Sequence, residues 1–279
     1  MTPAVGERLK DLATPASRLC VGIDPHPAIL GAWGLADSPE GVQRFGAIVL
    51  EALEEAQVRI VKPQVALFER HGVKGMAVLS DLLQGARDRG LITIADAKRG
   101  DVGSTVAGYA DAWLRPGSDF EADCVTAVAY QGVGSLEPLF EAAEEYHRTV
   151  FVLVATSNPE GWPLQSAQVS PSGVSVARHT LDGLIERQAV SSVPGIVGAV
   201  VGATVDQAAL GIGDNTLASS ALPILAPGYG FQGASLADLS GHFPKALSTV
   251  IPTVSRSVVS DGPDTVVAAI HRHLVQVPA

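Results

Sequence analysis

An α/β protein folded as a closed (β/α)8 barrel, the TIM barrel, is what this sequence predicts, on three observations. Short Val- and Ile-rich runs alternate with amphipathic stretches from one end of the chain to the other. Eight runs can be counted, each followed by a helical pattern. The runs are mostly apolar throughout rather than alternating, as strands of a parallel sheet buried on both faces must be. The length of 279 residues suits one domain spanning 1–279, because barrels of this kind run to about 250 residues. An open doubly wound sheet is the alternative that the pattern leaves.

The expected strands are Leu19–Ile23, Val58–Val61, Leu91–Ala95, Cys124–Ala129, Val150–Ala155, Ile196–Val201, Pro223–Ala226 and Thr249–Val254. The expected helices are Gly41–Ala56, Gly72–Arg89, Thr105–Leu114, Leu136–Tyr146, Val174–Val190, Thr204–Ala209, Leu236–Lys245 and Asp264–Val275. One long irregular stretch, Asn158–Gly173, carries Pro159, Pro163 and Pro171 and follows the fifth strand. A loop there sits on the C-terminal face of a barrel, where active sites of this fold are built.

Composition excludes several functions. The formal charge is -10 and no Lys/Arg cluster exceeds a pair, whereas a nucleic-acid or anionic-membrane surface needs the opposite sign. Aromatic residues make up only 5%, which is too few for a base-stacking platform. The N-terminus has no apolar signal-peptide core. The longest apolar stretch, Val193–Val205, is interrupted by Pro194, Gly195, Gly198 and Gly202 and falls short of the roughly 20 residues a membrane span needs. A cytoplasmic protein is expected. Cys20 and Cys124 lie in apolar runs and read as small buried hydrophobes. His271-x-His273 reads as a solvated pair on the last helix, and no histidines show metal-ligand spacing.

Charged residues stand where apolar strands end: Asp24 after the first, Lys62 after the second, Asp96 after the third and Arg256 after the eighth. In a barrel these four point into one bowl. The third strand end is the most informative. In Asp96-Ala97-Lys98-Arg99-Gly100-Asp101, Asp96 and Lys98 are two apart and share a side of an extended backbone. Gly100 then lets the chain turn before Asp101. Alternating carboxylates and ammonium groups, with Lys62 one strand away, hold lysines charged and fixed. Such an array can deliver a proton to a carbanion and disfavour a substrate carboxylate; a structural salt-bridge network is the plainer alternative. Near the seventh and eighth strand ends, Ala226-Pro227-Gly228-Tyr229-Gly230-Phe231-Gln232-Gly233 and Arg256 form an expected phosphate grip. The Gly-rich loop is neither a Walker loop nor a dinucleotide fingerprint. His26, close to Asp24, is a further candidate near the site.

These residues carry a resemblance. Asp-x-Lys-x-x-Asp at the end of a third strand, with Val21-Gly22-Ile23-Asp24-Pro25-His26 and Val61-Lys62-Pro63-Gln64, is similar to the orotidine 5'-monophosphate decarboxylase suprafamily. The match is to the second, mainly bacterial, sequence subgroup and covers essentially the whole chain. It implies cofactor-free and metal-free decarboxylation of orotidine 5'-monophosphate to uridine 5'-monophosphate. By the same resemblance, Lys98 protonates C6 of the pyrimidine, Asp96 sits near the departing carboxylate, and Lys62 and Asp101 complete the charged network. Asp24 binds ribose hydroxyls, Ser157 contacts the pyrimidine, and Gln232 and Arg256 grip the 5'-phosphate. Asp101 and Thr105 serve a neighbouring subunit's site across a homodimer.

The stretch after Ser157 is longer and richer in proline than in compact members of the suprafamily, and aromatics interrupt the Gly-rich loop. The rival within the suprafamily is a metal-dependent phosphosugar enzyme, which needs a carboxylate where Lys62 stands. The rival outside it is a non-catalytic phosphosugar- or nucleotide-binding barrel, which has no use for a lysine between two carboxylates.

Overall fold

The structure, a computed structural model, describes residues 3–14 and 16–278. Eight parallel strands close into a barrel in sequence order: β1 (Cys20–Ile23), β2 (Ile60–Pro63), β3 (Ile92–Arg99), β4 (Cys124–Ala127), β5 (Thr149–Ala155), β6 (Val197–Val201), β7 (Ile224–Pro227) and β8 (Val250–Val254). The ring closes where Cys20 pairs with Thr253. The closed (β/α)8 barrel replaces the open-sheet alternative.

Period-two geometry then sorts side chains into layers. Cys20, Ile60, Ile94, Cys124, Phe151 and Ile251 fill one apolar layer inside the barrel. Two residues further along their strands stand Lys62, Asp96, Thr126, Leu153 and Thr253, all lining a cavity above that layer. The polar residues therefore take interior positions one layer nearer the C-terminal face than the apolar ones. Phe151 fits because its neighbour across the ladder is Gly198, where a Cβ would stand 2.5 Å from the ring. From below, Val5 and Leu9, one turn apart on the helix Val5–Asp11, join the same interior cluster and close the barrel floor. That helix is not among the sequence-based expectations.

Helices pack outside against the other strand faces. Pro39–Glu55, Gly72–Asp88, Gly103–Trp113, Glu137–Tyr146, Val176–Val190 and Val266–Leu274 fall where the periodicity places them. Pro39–Glu55 starts at Ser38, whose hydroxyl accepts the Gly41 N–H, followed by proline in the first turn.

Two expected helices fail. Thr204–Ala209 forms turns, with the Asp206 carboxylate accepting the Ala209 N–H at 3.0 Å. The helix of that unit comes later, at Asp214–Ser220. Leu236–Lys245 is reduced to a 3-10 turn, Leu236–Asp238, and one α turn, Leu239–His242. Two strands also differ from expectation. β2 runs from Ile60 to Pro63, so Lys62 lies within it, and β3 continues to Arg99, so Asp96 and Lys98 are strand residues.

Candidate active site

The cavity at the C-terminal face holds about 260 Å³ and is walled by residues of all eight strands or the turns just after them, from Asp24 after β1 to Arg256 after β8. At its floor Asp96 binds two lysines. Its Oδ2 accepts from Lys62 Nζ at 2.7 Å and its Oδ1 from Lys98 Nζ at 2.6 Å. Oδ1 also accepts the Thr126 hydroxyl at 2.9 Å. The Gln64 amide, oriented to satisfy both neighbours, donates to Oδ2 at 2.6 Å and accepts from Lys98 Nζ at 3.2 Å. Four donors thus saturate one carboxylate.

The reach of Lys98 has a backbone cause. The pairing of β3 with β4 shifts register between Ala95 and Arg99, a bulge in the strand. Within it Lys98 adopts a φ of +49°, a region side chains rarely enter. Its N–H donates to Thr126 Oγ1 at 2.9 Å, which fixes the turn. Asp96 and Lys98 do meet, as the sequence predicts, but through this bulge and not through simple strand alternation. The strained backbone aims the lysine over the carboxylate and into the cavity.

Electrostatics follow from burial and partners. Burial by itself would raise the Asp96 carboxyl, but the charges of Lys62 and Lys98 and their hydrogen bonds hold it well below the usual carboxylate range. Burial would likewise lower Lys62, and here the charges of Asp96 and Asp24 outweigh it and hold its ammonium above the usual range. The wall carries Lys62, Lys98 and Arg256 against Asp24 and Asp96. An excess of one positive charge is concentrated there, in a chain whose formal charge is -10. Such a focus attracts an anion into the bowl.

Other expected residues divide. Asp24 lines the cavity, accepts the Ser255 hydroxyl on Oδ2 and leaves Oδ1 without a partner among the described residues. Gln232 and Arg256 line the wall after β7 and β8, with Gly228 and Tyr229. Four candidates are not brought to the cavity. Asp101 turns back on its own chain to accept the Val102 N–H at 2.8 Å and forms no ion pair with Lys62 or Lys98. Thr105 is exposed on the helix Gly103–Trp113, and Ser157 is exposed at the rim, where Thr156 lines the wall instead. His26 caps the helix Pro27–Ala32 and does not reach the cavity. His273 is half-buried, correcting the expectation of a solvated pair. Burial pushes the Cys20 thiol up to about 12, an inert state.

Sequence reasoning gave no role to Gln64, Thr126 or Ser255. Thr126 had a signal, as the lone polar residue in the apolar run Cys124–Ala129. Ser255 had none, because its contact with Asp24 spans the seam of the barrel.

Comparison with known proteins agrees with this geometry. The sequence model of the orotidine 5'-phosphate decarboxylase / HUMPS family matches residues 17–270. An orotidine 5'-phosphate decarboxylase from Salinispora tropica is 46% identical over 261 residues, covering 94% of this chain and 91% of the relative. One from Corynebacterium efficiens is 44% identical over 271 residues, covering 95% and 92%. A crystal structure of a Streptomyces avermitilis protein assigned as an orotidine 5'-phosphate decarboxylase superposes with a TM-score of 0.89 at 41% identity, covering 99% of this chain and 95% of that one. With a closed barrel, a charged floor and a match over most of its length, the chain belongs to the orotidine 5'-phosphate decarboxylase / HUMPS family.

Proposed function

We infer that this cavity carries out the decarboxylation of orotidine 5'-monophosphate to uridine 5'-monophosphate, the carboxy-lyase step of pyrimidine biosynthesis, with Lys98 as the proton donor. The single observation that carries the assignment of Lys98 is its ammonium, 2.6 Å from Asp96 and projecting from a bulge into the cavity. The C6–carboxylate bond breaks, carbon dioxide leaves with no electrons from that bond, and the pair stays on C6. Lys98 Nζ then gives its proton to C6, and the amine is reprotonated from solvent.

Asp96 acts on the ground state and the transition state differently. Its charge stands fixed on the cavity floor, held there by Lys62, Thr126 and Gln64. A substrate carboxylate placed beside it is repelled, and that repulsion disappears as neutral carbon dioxide forms. Lys98 meanwhile stabilises the negative charge developing on C6. The unpartnered Oδ1 of Asp24 is the acceptor for a ribose hydroxyl. Gln232 and Arg256, after β7 and β8, take the 5'-phosphate. Binding of that remote group supplies the free energy that holds the pyrimidine against Asp96. Ser157, on the rim, contacts the ring edge only if the loop that follows it closes.

The metal-dependent relatives within the family's breadth need cation ligands at this floor. Here both Asp96 oxygens are committed to ammonium, hydroxyl and amide donors, and Lys62 repels a divalent ion. The test is a spectrophotometric assay with orotidine 5'-monophosphate, with and without EDTA. Loss of substrate absorbance that EDTA leaves unchanged supports this reading; no reaction, or one that EDTA abolishes, overturns it.

The reading extends to a homodimer with shared sites in the cytoplasm. Asp101 and Thr105 lie outside the cavity of their own subunit beside the exposed Val102, which supports their serving a partner's site. Mixing Asp101→Ala and Lys98→Ala proteins is expected to recover activity through hybrid dimers carrying one intact site. Verified subunit exchange without recovery excludes a shared site. Among the described residues no helix is long and apolar enough to cross a membrane.

A further inference from the structure

We propose that Phe231 is a positioning residue for the phosphate grip: its ring holds the Arg256 guanidinium from one face and leaves the in-plane N–H donors free for the substrate's 5'-phosphate. This rests on the assignment of Arg256 to the phosphate made above.

Phe231 is 62% exposed, an unusual state for a phenyl ring in a loop that forms the wall of a binding cavity. Its ring centroid lies 3.7 Å from Arg256 Cζ, well inside the range of a cation–π contact. Among the described residues Arg256 pairs with no carboxylate. The choice of an aromatic partner has a physical consequence. A carboxylate would hold the guanidinium by its in-plane N–H groups, the same donors a phosphate needs. A ring holds it through the π face, perpendicular to those donors. Arg256 is thereby oriented without being consumed.

The loop that carries the ring is built to hold it there. Gly230 N–H donates to Ala234 O at 2.8 Å, Gly233 N–H to Gly230 O at 2.9 Å, and Ala234 N–H to Gly228 O at 3.3 Å, closing a tight turn. Below the tip, Tyr229 is buried and its hydroxyl lies 3.3 Å from His242 Nδ1. Gly230, at φ +77°, packs so closely on the helix Arg256–Val259 that a Cβ would stand 2.3 Å from Ser257 Oγ. The loop is thus seated directly on the helix that bears Arg256. Its tip presents two side chains, Phe231 to the guanidinium and Gln232 to the cavity. One short turn therefore supplies a phosphate ligand and the support for a second.

The experiment measures binding of uridine 5'-monophosphate and of uridine to five proteins: wild type, Phe231→Leu, Phe231→Tyr, Arg256→Ala and the double variant Phe231→Leu/Arg256→Ala. Loss of a cation–π contact predicts roughly 3- to 30-fold weaker binding of the nucleotide to Phe231→Leu. Uridine binding is expected to stay unchanged, and Phe231→Tyr to restore nucleotide affinity. In the Arg256→Ala background, Phe231→Leu is expected to add nothing. Equal weakening of uridine, an undiminished effect of Phe231→Leu without Arg256, or wild-type nucleotide affinity in Phe231→Leu each overturns the proposal. If Arg256→Ala itself fails to separate nucleotide from nucleoside, the phosphate assignment falls instead, which is a different result. The ring is exposed, so a melting temperature matching wild type is expected and checks that the fold is intact.

Discussion

The barrel holds a carboxylate between two cations at each end, and the two clusters do opposite things. At the C-terminal face Asp96 lies between Lys62 and Lys98. At the N-terminal face Asp123, just ahead of β4, lies between Arg8 and Arg148, at 2.7 and 2.8 Å. Each aspartate is also held by a threonine, Asp96 by the Thr126 hydroxyl and Asp123 by the Thr93 N–H at 2.9 Å. The difference lies in the cations and in what covers them. Arginine does not release its proton in a protein and locks carboxylates through a rigid fork, whereas lysine is a mobile point charge that can give a proton up. Arg148 is engaged a second time by Glu121, so the lower cluster is closed on itself. The upper one leaves the Lys98 side chain 43% exposed toward the cavity. The same motif of charges is a staple at one end and, in the reaction proposed above, a reagent at the other.

The largest expected effect breaks the upper cluster. Lys98→Ala is expected to lower kcat by at least about 10³-fold, the scale of a lost general acid, with the fold intact by circular dichroism. Lys98→Arg sharpens the contrast, because it keeps the cation beside Asp96 and makes the upper cluster resemble the lower. Loss of turnover of similar size is expected in a steady-state assay. Substantial activity in Lys98→Arg would mean that charge alone, without a transferable proton, accounts for the site.

Next comes the lower cluster. Asp123→Ala leaves Arg8 and Arg148 facing each other without the carboxylate. Removing one partner from a buried ion pair costs about 3–5 kcal/mol, a drop of roughly 10 °C in melting temperature for a domain of this size. Turnover per folded molecule is expected to be unchanged. A thermal melt and an assay on the same preparation separate the two quantities, and a variant as stable as wild type would reduce the lower cluster to decoration.

The two clusters were not equally visible in the sequence. Two members of the upper one, Asp96 and Lys98, stand two apart at a single strand end, so a short window contains both, and Lys62 stands out near the end of the strand before. The lower one joins residues 8, 123 and 148, and nothing local connects them until the barrel brings helix and strand starts together. The same logic explains which site residues were found. Lys62 and Asp96 interrupt apolar runs and announce themselves. Gln64 follows a proline past the strand, and its role exists only because β2 and β3 are neighbours. The bulge at Lys98 was not legible at all, since no glycine or proline marks the residue with positive φ. Nor was the failure of the Thr204–Ala209 helix, where the chain forms turns instead.

Dependence on pH tests the upper cluster next. The Asp96 carboxyl is lowered from its ordinary 3.8, so its ion pairs stabilise the fold above that value and are lost as pH falls through the lowered one. Lys62 is raised from 10.5, so its contribution is present below that value and is lost as pH rises through the raised one. Between about pH 5 and 9 neither group changes charge. A melting-temperature series is therefore expected to show no transition from this pair in that window. Asp96→Asn is expected to remove part of the loss of stability in strong acid. A transition near neutral pH that vanishes in Asp96→Asn would contradict the saturated carboxylate described above.

The smallest effect compares the two threonines. Thr126→Val deletes one hydrogen bond to Asp96 and the acceptor for the Lys98 N–H, while Lys62, Lys98 and Gln64 still hold the carboxylate. A hydrogen bond to a charged group is worth about 1.5–3 kcal/mol. Here the remaining donors take up part of that loss, so a fall in kcat of about tenfold is expected, with Thr126→Ser close to wild type. Thr93→Val removes only hydroxyl contacts at the lower cluster, since the Thr93 N–H to Asp123 is backbone and survives. It is expected to lower the melting temperature slightly and leave kcat alone. If Thr126→Val instead reduced stability and spared turnover, the bulge would be scaffolding, and the position of Lys98 would owe nothing to the hydroxyl beneath it.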